Sequence, residues 1–443
     1  MNIFTTLRNA WKTSDLKAKI VFTCFIIILF RIGINIPVPF VNTDALQSFF
    51  SSQSSTLLGY FNMLSGNALA YGTLFALTIQ PYINASIIIQ LLTVAIPALE
   101  RMSKAGEEGR RRINSITRYV AILLAIVQTI GILINYGQGI VKLEGDTSLA
   151  DLLFGQAWLA YIVVVLIYAS GTAVTMWIGE RITDYGVSNG ISILIFVGII
   201  ATAGQAGLNS FKTIFTTTGN TSKEAFWKLI AYIVVIVLVF GCIVFVELAE
   251  RKIPIQYAKQ VKGRKMYGGQ SSVIPIKVNA NGVMPLIFAF SILSFPELIM
   301  SMFWPGSAAL AWWQQYMGTS SWLYMVVLCL LILGFAYFYT AIQFQPEEIS
   351  KNIQQNGGFI LGIRPGKPTT EYLKRVSGRI TLFGAIFLAL VALIPSIIFR
   401  FIDPTYSSVF TATGMLIAVS VALEFNTALE SQIMMKNYKG FLK

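Results

Sequence analysis

Tyr232-Ile-Val-Val-Ile-Val-Leu-Val-Phe-Gly-Cys-Ile-Val-Phe-Val246 decides which solvent this chain folds in. The run carries no charge and no polar face, so a helix formed from it is apolar all round. Such a helix belongs in a large core or in a bilayer. Shorter runs of the same kind lie at 20–30, 161–168 and 324–338. Of 443 residues, 55% are hydrophobic and 12% charged, whereas soluble domains carry about a quarter charged residues. The chain reads as a membrane protein, and water-soluble folds are excluded.

A span needs about 20 mostly apolar residues. Working outward from 232–246, ten are expected, at 20–36, 74–96, 119–134, 157–178, 191–203, 227–246, 282–299, 322–342, 380–399 and 409–425. The fifth is short and flanked by glycine. An even number puts both termini on one side. Of the 33 Lys and Arg, 27 fall in the two terminal segments and in alternate loops, the longest at 247–277 and 346–379. Arg31, Lys142, Lys212, Lys223, Lys228 and Arg400 are the exceptions. Basic loops stay cytoplasmic, so both termini are expected there. No small-residue cleavage site follows the first run, which is therefore expected to be a span rather than a leader.

The net charge of +13 is placed for a membrane surface, since anionic headgroups attract such loops. The two longest basic loops also suit a docking surface, because they mix Arg and Lys with Gly, Pro and Tyr. On the opposite side, 37–73 is too long for a simple hairpin. Its second half, Leu57 to Leu69, is uncharged and too short to span. It either lies on the surface or folds back into protein, where irregular backbone is tolerated. Phe4, Leu7 and Trp11 give the N-terminal arm an apolar stripe that suits the interface. Cys24, Cys242 and Cys329 sit in apolar runs and are expected to be buried, unreactive thiols.

Catalytic chemistry is missing. Histidine is absent, which removes Ser-His and Cys-His catalysis and the commonest zinc ligand. Gly362-Ile-Arg-Pro-Gly366-Lys367-Pro368 has one residue too few between its glycines for a phosphate loop, and proline follows the lysine. No catalytic site, metal site or cofactor is expected, so energy for transport must come from a partner or the membrane potential. An ion-coupled transporter needs ionisable groups near the midplane, and the span centres hold no Asp or Glu. A small-solute transporter is the rival reading. A membrane-embedded enzyme lacks a convergent polar site.

Several motifs, in order, carry a resemblance. Thr73-Leu-Phe-Ala-Leu-Thr-Ile-Gln-Pro-Tyr-Ile-Asn-Ala-Ser-Ile-Ile-Ile-Gln90 opens the second span, and Glu108-Gly-Arg-Arg-Arg112 with Thr117-Arg-Tyr119 marks the first basic loop. Asn189-Gly-Ile-Ser192 opens the fifth span, Val246-Glu247, Tyr257-Ala-Lys259 and Gly263-Arg264 follow the sixth, and Gly362-Ile-Arg-Pro-Gly366 follows the eighth. Together they resemble the SecY family, the main subunit of the bacterial Sec translocon. Thr78 stands where the family usually has glycine; its hydroxyl is expected to bond a carbonyl one turn back and keep the helix intact.

The resemblance implies an all-α polytopic fold of two inverted five-helix halves, 1–205 and 206–443, around a protein-conducting channel in the bacterial inner membrane. It implies a pore ring of Ile79, Ile83, Ile191, Ile195, Ile287 and Ile417. Spacing adds to this, because Ile79/Ile83 and Ile191/Ile195 are i,i+4 pairs on one helix face, though ordinary packing also accounts for any one of them. Pro81 and Pro285 are expected to bend their helices. A short re-entrant plug helix is implied at 57–69, with Leu57, Gly59, Phe61, Met63, Leu64, Gly66 and Leu69, its two glycines serving as hinges. Asn84, Gln128, Asn279 and Phe295 match a sideways gate, where the polar three would equally serve as satisfied interhelical hydrogen bonds. Arg251, Lys252, Lys259, Arg264, Lys265 and Arg364 match docking positions for the SecA motor and the ribosome. SecE, SecG, signal peptides, nascent secretory chains and membrane lipid complete the implied partners.

Overall fold

A computed structural model describes residues 3–39, 41, 43, 44, 46, 47, 62, 65–140, 157–216, 220–257, 260–262, 265–267, 271–279, 282–304, 307–318, 321–402 and 412–440. In chain order its elements are α1 (Ile3–Lys12), α2 (Ser14–Ile34), α3 (Gln80–Ala95), α4 (Pro97–Lys104), α5 (Gly106–Ile140), α6 (Ala157–Tyr185), α7 (Gly190–Thr216) and α8 (Asn220–Glu247). Four strands follow, β1 (Glu250–Tyr257), β2 (Gln260–Lys262), β3 (Lys265–Tyr267) and β4 (Ser271–Lys277). Then come α9 (Met284–Phe303), α10 (Ala308–Met317), α11 (Trp322–Gln343), α12 (Pro346–Gln355), β5 (Gly358–Ile360), α13 (Lys367–Ile402) and α14 (Ala412–Gly440).

Among the described residues, five helices are long and apolar enough to cross a membrane, six if α3 and α4 are one broken span. That pair bends by 103°. Pro97 forces the break: Ile96 before it leaves the helical region, at φ −108° and ψ 114°, as a residue preceding proline tends to do. α7 and α9 carry shorter apolar stretches, Gly190–Gln205 and Met284–Glu297.

The chain divides into two compact units. The first is Met1–Leu229 with Ser294–Tyr324 and Asp403–Lys443; the second is Ile230–Leu293 with Met325–Ile402. In the first, α3 packs on α5, α5 on α6, α6 on α2 and α7, and α7 on α14. Without a hydrophobic drive between helices in lipid, small residues let backbones approach. Ala85 and Ala121 meet beside Met176, and a Cβ on Gly190 would run into the Gly179 carbonyl. An ion pair of 2.6 Å from Arg118 Nε to Glu180 Oε1 joins α5 to α6. The N-terminal arm is docked rather than free: Thr6 and Ala10 are buried, and the Thr6 hydroxyl donates to Glu430 of α14 at 3.1 Å.

The cysteines are not the buried thiols expected of apolar runs. Cys24 and Cys242 are exposed and Cys329 is half-buried. In a bilayer an apolar residue satisfies its burial against lipid tails and needs no protein core.

The second unit adds what an all-α reading omits. Strands β4, β1 and β5 form an antiparallel sheet in that order, with Ile253 opposite Ile274 and Ile255 opposite Ile360. Ile253 and Ile255 point inward while Lys252, Pro254 and Gln256 point out, the period-two pattern of a half-buried strand. Proline is normally excluded from central strands. Pro254 escapes because β5 pairs only with Ile255 to Tyr257, which leaves the chain an edge at that point. The sheet's core of Ile253, Ile276 and Ile360 rests on Leu373 in the first turns of α13.

Candidate pore constriction and cytoplasmic docking surface

Between Ser65 and Ile79 the chain is mostly buried, Tyr71 excepted, yet not helical. Four residues there have left-handed backbone: Gly66 at φ 70°, Asn67 at 69°, Gly72 at 57° and Thr78 at 47°. Such backbone survives at membrane depth only when protein satisfies and covers it. Here Val38 N–H donates to Gly72 at 3.0 Å and Leu74 N–H to Ile36 at 2.9 Å, bracketing a Pro37–Thr73 bridge. Phe75 stacks on Phe30 with centroids 5.7 Å apart. Glycine permits the close approach from two sides: a Cβ on Gly33 would strike the Phe75 ring, and one on Gly171 of α6 the Leu74 carbonyl.

This segment corrects the expected span two, which starts at Gln80 rather than 74. Ile79 caps the helix, and Ile83 N–H donates to its carbonyl at 3.0 Å. Pro81 therefore begins the helix instead of bending it, since proline at the first turn removes an N–H that has no partner anyway. Pro285 likewise sits in the first turn of α9; the internal prolines are Pro296 and Pro395. The role expected of Thr78 fails for the same reason, because it precedes the helix. A β-branched residue in the left-handed region costs roughly 1–2 kcal/mol, which glycine would avoid.

Ile79, Ile83, Ile191 and Ile195 lie in one apolar cluster with Phe30, Ile34, Ile178, Ile182 and Leu194. Ile79 is buried; the other three keep part of their surface open, as side chains lining a constriction would. Ile417 is buried on α14 of the same unit but lies outside this cluster. Ile287, half-buried on α9, belongs to the second unit. Gly66 and Leu69 fall in the buried segment, while Leu57, Gly59, Phe61, Met63 and Leu64 lie outside the described residues. A polar tie was missed in the sequence: Asn67 donates to Gln205 of α7 at 2.9 Å, and Asn62 to Asn67 at 3.1 Å. The Gly66-Asn67 dipeptide, a turn signal, was its only trace.

Asn84 and Gln128 are buried on α3 and α5. The Gln128 Oε1 finds no donor among the described residues. Asn279, also buried, donates to Glu247 Oε1 at 2.8 Å within the second unit. Phe295 is half-buried on α9.

Ion pairs engage part of the charge on the basic loops. In the stretch from Arg101 to Arg118, Lys104, Arg111 and Arg112 each pair with a glutamate one turn back, at 2.7 to 2.9 Å. Lys104 holds the Glu100 carboxyl below its ordinary pKa. Such exposed pairs add little stability, but they engage the charge locally. Lys252 pairs with Glu250 at 3.1 Å. Arg251 and Arg364 are exposed and in no ion pair among the described residues.

Arg364 stands on a built turn. Gly362 and Gly366 have φ of 79° and 100°, open only to glycine in practice. The Thr369 hydroxyl donates to the Arg364 carbonyl at 2.8 Å and the Ser350 hydroxyl to the Gly366 carbonyl at 3.0 Å. Beside it lies an open cleft of about 490 Å³ between Gln354 and Pro365. Lys259 and Arg264 lie outside the described residues; Lys265 opens β3.

Residues 73–426 match the SecY family model. The chain is 41% identical to the protein translocase subunit SecY of Streptomyces coelicolor over the full length of both. It is 39% identical to that of Halalkalibacterium halodurans, again over both full chains. Among solved structures it resembles one described as a protein conducting channel, with a TM-score of 0.65, 20% identity, and 93% and 91% of the two chains covered. Sec61 in a canine ribosome-channel complex from the endoplasmic reticulum gives 0.61 at 18% identity, covering 93% and 91%. The structural likeness speaks for the fold; the matched model and the full-length identities speak for descent, and by them this multi-pass membrane chain belongs to the SecY family.

Proposed function

We propose that this chain is the pore-forming subunit of a protein-conducting channel, passing unfolded secretory polypeptides across the bacterial inner membrane and releasing apolar segments sideways into lipid. Relatives at about 40% identity over their whole length carry the name protein translocase subunit. The observation that carries the reading is the cluster of Ile79, Ile83, Ile191 and Ile195 at the end of a buried, irregular segment. Branched aliphatic walls exclude water and ions by dewetting. They make no directional bonds, so they yield to any passing sequence. No group in the cluster does covalent chemistry, which fits a conduit and not an enzyme.

In this reading the chain has ten spans in two inverted halves, 1–205 and 206–443, with both termini cytoplasmic. Ile287 and Ile417 complete the ring, and 57–69 is the plug beneath it. Asn84, Gln128, Asn279 and Phe295 belong to the sideways gate. A buried Gln128 oxygen with no donor among the described residues supports that role, since a buried acceptor without a donor weakens the closed packing. Arg251, Lys252, Lys259, Arg264, Lys265 and Arg364 receive SecA or the ribosome; Arg251 and Arg364, exposed and in no ion pair among the described residues, support this. SecE and SecG complete the complex. The test is crosslinking from a stalled precursor. A photoreactive residue replacing Ile83 or Ile195 should capture the chain in transit, and one replacing Ile200, exposed on the outside of α7, should not. Capture from Ile200 alone would overturn the pore assignment.

A further inference from the structure

Between Leu298 and Pro346 the sequence has no Asp, Glu, Lys or Arg. Within that stretch α10 separates α9 from α11. Ser307 caps it, its hydroxyl accepting from Leu310 N–H at 3.2 Å. Gln314 donates to the Glu297 carboxylate of α9. Glu297 lies six residues before the end of α9, and Gln314 six residues after the start of α10. Equal distances from the turn mean that α10 folds back along the end of α9, each arm about 9 Å long at 1.5 Å per residue. A helix folded back along α9, an apolar helix that the proposed topology puts across the membrane, returns toward the bilayer.

One side of α10 is exposed, with none of the described residues covering it. Ala308, Ala309, Trp312 and Tyr316 are exposed at helical spacing, with Trp312 and Tyr316 rings 5.3 Å apart. The aromatic surface continues onto its neighbours, through Phe303 and Trp304 at the end of α9 and Trp322 at the start of α11, each more than 60% exposed. An exposed aromatic face of this extent marks an interaction site. Its chemistry is that of a headgroup layer: Trp and Tyr concentrate at membrane interfaces, and Gln314 and Gln315 make the helix too polar for the hydrocarbon core.

We propose that α10 is an interfacial helix, its Ala309–Trp312–Tyr316 face embedded in the headgroup layer of the bilayer, where it tethers the end of α9. The lipid surface is the occupant because this face continues that of two helices flanking it in the membrane. Both the embedding and the leaflet that receives it rest on the proposed topology.

The test uses the full chain in nanodiscs of phosphatidylethanolamine and phosphatidylglycerol, with Cys24, Cys242 and Cys329 each replaced by Ala. Nitroxide labels are placed at Trp312→Cys and, as a milder change on the same face, at Ala309→Cys, with Lys367→Cys as the aqueous reference. Embedding predicts frequent collisions with dissolved oxygen and several-fold fewer collisions with a water-soluble nickel chelate than at position 367. Chelate collisions equal to those at 367 would put the face in water and overturn the proposal. Low collisions with both reagents would mean protein covers it, which overturns it too. The channel reading stands apart, since neither failure affects crosslinking at Ile83.

Discussion

Replacing Gly384 by alanine should destabilise the protein, whereas the same change at Gly378 six residues earlier should stabilise it. Both glycines lie in α13, so both gain the helix propensity of alanine, about 0.8–1 kcal/mol. They differ in what the new methyl meets. At Gly378 nothing lies within 4 Å. At Gly384 the Cβ would sit 2.5 Å from the Val278 carbonyl oxygen, where ordinary contact begins at 3.4 Å, so something must yield by 0.9 Å. That carbonyl is poorly placed to yield. Val278 N–H donates to Ala249 at 2.9 Å, and the next residue, Asn279, holds Glu247 at 2.8 Å. Forcing a methylene into a packed site costs about 1–3 kcal/mol. Because the propensity gain is common to both variants, the gap between them isolates the clash at that same 1–3 kcal/mol. Unfolding of the purified variants by rising denaturant measures it. Equal stabilities, or a Gly384→Ala protein more stable than Gly378→Ala, would refute the close packing of α13 on this turn.

Three further outcomes are expected. Asn in place of Ile83 or Ile195 puts a water-holding group into the aliphatic cluster, and should raise ion leak through planar bilayers with little loss of folding; unchanged conductance would mean these residues only pack. Arg364→Glu should leave expression normal and sharply reduce motor-driven precursor translocation in vesicles of matched channel content, with Arg364→Lys between, because lysine cannot copy bidentate pairing; normal translocation by the Glu variant would remove Arg364 from the docking surface. Single cysteines at Lys265 or Lys367 should react only with cytoplasmic reagent and those at Lys142 or Lys212 only with external reagent, and reversed labelling would invert the orientation.

The membrane class was legible in the sequence because it depends on composition over long windows, as at Tyr232–Val246. The isoleucine pairs were legible because i,i+4 spacing is local. What escaped depends on partners distant in sequence. The start of the helix at Gln80 is one case: 74–79 is as apolar as a span, and contacts from distant residues such as Phe30, Gly33 and Gly171 hold it irregular. Thr78 is another, since nothing local announces its left-handed backbone. The sheet left a clue in two Ile-Pro-Ile triplets, 253–255 on β1 and 274–276 on β4, which meet where Ile253 stands opposite Ile274, but the surrounding lysines and prolines read as loop. Exposed cysteines escaped because the rule that apolar means buried assumes water outside.

Transport itself tests the account most directly. Inverted vesicles carrying this chain with a SecE-like partner should take up an unfolded secretory precursor when SecA and ATP are supplied, and the precursor should become resistant to added protease until detergent is present. Vesicles lacking the chain should leave it digestible. A precursor that stays digestible in vesicles with properly inserted channel, alongside accumulation of a small solute without SecA, would contradict the protein-conducting reading and favour a transporter.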